Sequence, residues 1–138
     1  MKFPYEAVPS MMSGYLSLQP RAPIIITNPA NNKSTGIKAL VDSGAGMTVF
    51  HPRIATYLGI DLNTLAARPF SSANHDAVGY DYALQVRLKG DPRHEYLVPC
   101  AFLSELRTDA VLGRDGFFDH YRIVFEQYND QFEITASS

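Results

Sequence analysis

From Val78 to Leu88 every second residue is apolar or aromatic: Val78, Tyr80, Tyr82, Leu84, Val86 and Leu88. Gly79, Asp81, Ala83, Gln85 and Arg87 fill the positions between them, with Lys89 just beyond. A period of two over that length predicts a strand with one face buried. Arg68–Ser72 is placed to pair back on it across a tip that includes Ala73, Asn74 and His75, so residues 68–88 are expected to form a hairpin. A second hairpin is expected over residues 22–41. There the β-branched run Ala22–Thr27 and the segment Gly36–Val41 flank Asn28-Pro29 and Asn31-Asn32, which is strong turn chemistry.

Short strands are further expected at Met47–Phe50, Glu95–Phe102 and Ala110–Leu112, and a last hairpin at Arg122–Phe125 and Gln131–Ile134 around Asn129-Asp130. Helical signals are few. Pro52 suits a first helical turn and Gly59 a stop, giving a short helix over Pro52–Leu58, and Asp115–His120 allows one more turn. Residues 1–20, with Pro4, Pro9 and Pro20, read as a loose arm with a short strand expected at Tyr15–Leu18, and residues 21–138 as one domain. The fold class is mostly β: a small closed barrel with one or two short helices.

Composition narrows the function classes. Hydrophobic residues make up 46% of the 138, enough for a chain that folds on a core of its own. The formal net charge of −2 gives no basic excess for nucleic acid or an anionic membrane surface. The apolar run Ile24–Ile26 is far too short to span a bilayer, and the N-terminal residues lack the continuous apolar stretch of a secretory leader. Cys100 is the single cysteine, so no internal disulfide can form, which suits a reducing compartment. The expectation is a cytoplasmic protein. The histidines (His51, His75, His94, His120) show no metal-ligand spacing, and neither a metal nor another cofactor is expected.

The chemistry concentrates in Ala39-Leu40-Val41-Asp42-Ser43-Gly44-Ala45-Gly46-Met47-Thr48-Val49. An apolar strand delivers a carboxylate into a turn of small residues. Such a turn can hold an aspartate still with its own N–H groups while leaving room for a substrate backbone above it. Taken alone, Asp42 also fits a turn residue capping its local backbone.

This segment resembles the retropepsin-like aspartic peptidases, whose motif is an apolar strand followed by Asp-Thr/Ser-Gly-Ala. Asp42-Ser43-Gly44-Ala45 matches it, and Thr48-Val49 follows. The second mark of that family, two apolar residues, Gly and often Arg-Asp, is matched by Val111-Leu112-Gly113-Arg114-Asp115. Between the two marks the family places a flap hairpin, where the 68–88 hairpin falls. The resemblance covers roughly residues 22–135. Two departures stand out. The flap tip lacks glycine, and Gly46-Met47 replaces the acid that pairs with the Arg114 equivalent in viral relatives.

The resemblance implies that Asp42 is catalytic, that Ser43, Gly44 and Arg114 support it, and that Gly44, Ala45, Ala73, Asn74 and His75 contact substrate. Aspartic peptidase chemistry needs two carboxylates sharing a proton, and this chain has one such turn. It is therefore expected to act as a homodimer on polypeptides, each copy contributing one Asp42. The chain ends, above all the last hairpin, are expected to build the interface. Two other readings stay open: a dimer of this fold that binds peptides or scaffolds a partner without cutting, and a hydrolase using Ser43 as nucleophile.

Overall fold

A computed structural model describes residues 1–9, 16–71 and 76–137. Among the described residues the elements run in chain order as follows. The N-terminal part holds β1 (Lys2–Pro4), β2 (Glu6–Pro9), β3 (Leu16–Gln19), β4 (Arg21–Thr27), β5 (Ser34–Val41) and β6 (Thr48–Phe50). Helix α1 (Pro52–Tyr57) and a 3-10 turn at Leu62–Thr64 follow, then β7 (Ala67–Ser71), β8 (Asp76–Leu88), β9 (Glu95–Leu103) and β10 (Ala110–Leu112). A 3-10 turn at Phe118–His120 leads into β11 (Tyr121–Glu126), and another at Gln127–Asn129 into β12 (Gln131–Ala136).

The barrel is closed. Strands follow each other in the order β4-β5-β10-β6-β9-β8, and β8 returns to β4 through the pairs from Ile24–Leu88 to Thr27–Gln85. Closure removes the exposed edges that an open sheet would present. Its interior is filled by alternate residues of each strand: Ala22, Ile24 and Ile26 from β4, Ala39 and Val41 from β5, and Leu84, Val86 and Leu88 from β8. The alternation along Val78–Leu88 thus reports burial in its second half. Its first half leaves the barrel with β7 as a hairpin, and there Val78 is exposed while Gly79 is buried.

Helix α1 begins where Pro52 predicts, with the His51 ring nitrogen Nδ1 accepting the Arg53 N–H at 3.1 Å. Its last turn packs on the β4–β5 turn through Asn28, which is almost wholly buried. The Asn28 amide donates to the Leu58 carbonyl (3.0 Å) and accepts from the Tyr82 hydroxyl (2.6 Å). Burial of this polar side chain costs little because both ends of its amide are satisfied. Tyr82 therefore braces the barrel wall.

One expectation about the chain ends needs correction. Residues 1–20 are not a loose arm where they are described. β1 pairs with β12, and β2 with β3 in a separate hairpin. The reason lies at the other end of the sequence: Phe3 and Tyr5 pack on Phe132, with ring centroids 5.4 and 5.9 Å apart, so β1 buries aromatic surface in the core. β12 is the middle strand of the sheet β1-β12-β11, and the free edges belong to β1 and β11. Phe132 and Ile134 of β12 are core residues.

Phe132→Ala is expected to destabilise the fold by about 3–5 kcal/mol, the usual cost of emptying a buried aromatic site, as read by urea denaturation. A loss below about 1 kcal/mol would show that the terminal sheet does not share the core. Cys100 on β9 is also buried, and burial pushes its thiol up to about 12. It is expected to stay unmodified by a thiol reagent at mildly alkaline pH until the protein is unfolded. Stoichiometric labelling of the native protein would contradict that placement.

Candidate active site

Strand β5 ends at Val41, which pairs in parallel with Leu112 of β10. The chain then turns sharply through Asp42–Gly46 and returns as β6 on the other side of the same β10. Each part of this turn is held by the end of β10 and the segment that follows it. The Asp42 N–H donates to the Leu112 carbonyl (3.0 Å), the Arg114 N–H to the Ala45 carbonyl (2.9 Å), and the Asp115 N–H to the Gly46 carbonyl (2.8 Å). Inside the turn the Ala45 N–H donates to the Asp42 carbonyl at 3.2 Å.

Two side chains complete the frame. The buried Thr48 hydroxyl accepts the Gly113 N–H (3.1 Å) and donates to the Asp115 carbonyl (3.3 Å), using both its capacities at once. The Arg114 guanidinium donates to the Ser43 carbonyl at 2.8 Å. Arg114 thus finds its partner in the backbone of the turn, which answers the missing acid at Gly46-Met47. Gly113 has to be glycine, because a Cβ there would sit 2.3 Å from the Met47 carbonyl oxygen. The two marks read in the sequence are therefore one structural unit.

Within this unit the Asp42 carboxylate is oriented by the Gly44 N–H, which donates to Oδ1 at 2.9 Å. Asp42 is only partly buried, and Ser43 and Gly44 are exposed, so the carboxylate stands on an accessible floor. Ser43 contributes its carbonyl to the frame. The described histidines are engaged elsewhere: His51 caps α1, His94 pairs with Asp91 at 2.8 Å, and His120 stacks on Tyr96 at 4.1 Å. That leaves a serine mechanism through Ser43 without a histidine base among the described residues.

The hairpin of β7 and β8 extends beyond the barrel as expected. Ala73, Asn74 and His75 at its tip lie outside the described residues. Between the hairpin and the loop before β10 lies a cavity of about 310 Å³, lined by Phe70, Ala77, Leu103 and Leu106 with Glu105 and Arg107. One contact escaped the sequence reading. Arg68 of β7 donates through Nη2 to the Met47 sulfur at 3.6 Å, joining the hairpin to the residue that leaves the Asp42 turn. Its other partner, Asp81, lies diagonally across the hairpin, a relation visible only once the register is known.

The fold has close counterparts. A crystal structure of a retropepsin-like aspartic protease from Rickettsia conorii superposes with a TM-score of 0.63 at 19% identity, covering 98% of each chain. The retroviral protease-like domain of Ddi1 from Leishmania major superposes with a TM-score of 0.60 at 17% identity, over 87% of this chain and 89% of that one. At these identities the likeness is one of fold. No curated protein matches the chain in sequence. The aspartyl protease family, by contrast, matches residues 29–115, which run from the β4–β5 turn through Asp42 to Arg114-Asp115, and the chain belongs to that family.

Proposed function

We propose that this protein is a half-site aspartic endopeptidase: two copies pair, and their Asp42 carboxylates hydrolyse peptide bonds together. The observation that carries the reading is the rigid frame around one carboxylate. Backbone from residues 112–115, Thr48 and Arg114 hold the Asp42 turn, and a backbone N–H orients Oδ1. No second Asp-Ser-Gly or Asp-Thr-Gly occurs in the sequence. A symmetric pair supplies the missing partner, since a two-fold axis places each Asp42 opposite itself.

In such a pair the two carboxylates share one proton, because like charges in contact resist joint ionisation. The ionised one takes a proton from water as the water attacks the scissile carbonyl. The protonated one donates a hydrogen bond to the carbonyl oxygen. Gly44 and Ala45 on the floor, and Ala73, Asn74 and His75 on the flap, hold the substrate backbone as an extended strand. The free edges of β1 and β11 offer the second copy a place to pair.

Mixing decides the question. Asp42→Asn alone is expected to lower cleavage of a peptide mixture at least about a hundredfold. Wild type mixed with an equal amount of Asp42→Asn, after subunit exchange, should retain about a quarter of the rate of undiluted wild type at the same total protein concentration. A rate of one half would mean that each chain acts alone. Peptide binding by a wild-type dimer that never cuts would favour a binding module.

A further inference from the structure

We propose that Arg68 makes the cleft selective for acidic side chains on the substrate. This rests on the half-site peptidase reading above. One face of the β7–β8 hairpin carries Arg68, Phe70, Ala77, Gly79 and Asp81, with Arg68 opposite Gly79 and Phe70 opposite Ala77. The Phe70 ring lies down over Gly79, where a Cβ would stand 2.1 Å from Cε2. The Arg68 guanidinium sits on that ring, its Cζ 4.6 Å from the centroid. Stacking of this kind fixes the plane of the guanidinium.

Its donors are unequally used. Nε is shared by the two Asp81 oxygens at 3.0 and 2.9 Å. Among the described residues Nη2 reaches only the Met47 thioether, a weak acceptor. Met47 leaves the turn that carries Asp42, so the guanidinium bridges hairpin and floor, beside the path that the peptidase reading gives an extended substrate. A substrate carboxylate above Met47 replaces the sulfur contact with charge-assisted hydrogen bonds to the terminal nitrogens. A lysine or arginine there meets like charge. Arg68 and Asp81 are both about half exposed, so solvent screening holds the preference to a few-fold.

In a two-fold dimer Arg68 occurs on both sides of the scissile bond. The preference should therefore appear at a pair of positions related by symmetry about the cut. The test is the cut sites, read by mass spectrometry, that wild type, Arg68→Gln, Arg68→Glu and Asp81→Asn make in a proteome-derived peptide library near pH 6, with Asp42→Asn as the blank. Wild type should enrich Asp and Glu about two- to fivefold at those positions. Arg68→Gln should abolish the enrichment, Arg68→Glu should replace it with Lys and Arg at the same positions, and Asp81→Asn should strengthen it. A reversal of charge preference is not produced by a residue that merely braces the hairpin. Should Arg68→Glu fail to fold, Arg68→Gln and Asp81→Asn decide. Cutting by wild type without acidic enrichment, or enrichment that survives Arg68→Gln, overturns this inference and leaves the peptidase reading standing. No cutting by wild type sinks both together.

Discussion

Everything at the site depends on the close backbone contact between the segment after β10 and the turn after β5. Gly113 lies so near the Met47 carbonyl that no side chain fits between them. That approach lets the N–H groups of Arg114 and Asp115 reach the Ala45 and Gly46 carbonyls, and lets the Thr48 hydroxyl serve both Gly113 and Asp115. Each of these groups, left unpaired in so crowded a place, would cost more than the bond contributes when made. The turn consequently has one satisfactory conformation, and Asp42 inherits it. Preorganisation of the carboxylate follows from backbone hydrogen bonding, with little required of neighbouring charges.

The barrel explains why that contact forms. β10 is only three residues long, yet it lies between β5 and β6, parallel to one and antiparallel to the other. Ala110 and Leu112 are buried in the same core that holds Val41 and Phe50. Hydrophobic burial thus aligns the strands on both sides of the turn. The terminal sheet adds to this from outside the barrel. β1 and β12 come together through Phe3, Tyr5 and Phe132, so these terminal strands are part of the packed structure.

The hairpin of β7 and β8 has a different character. Away from the barrel its inner contacts are a ring over a glycine, a guanidinium over that ring and an ion pair at the surface. Such contacts are individually weak and screened by solvent. Arg68 ties this element to the floor through a thioether, an interaction that a better acceptor can displace.

The sequence by itself determined the barrel strands, the short helix and the two marks at Asp42 and Gly113-Arg114, because these depend on local patterns. Alternation marks a sheet face, proline and glycine bound a helix, and small residues permit a tight turn. What only the tertiary structure decided depends on pairs far apart in the chain. The strand at Lys2–Pro4 is too short to show a period, and it exists because Phe132 is there to receive Phe3. Arg114 lacks the acid its resemblance called for, and only the folded turn shows the Ser43 carbonyl in its place. Arg68 meets Met47 and Asp81 through hairpin register and strand twist, which no local pattern encodes. The pairing of two chains proposed above is likewise a property of an assembly, which no stretch of sequence can carry alone.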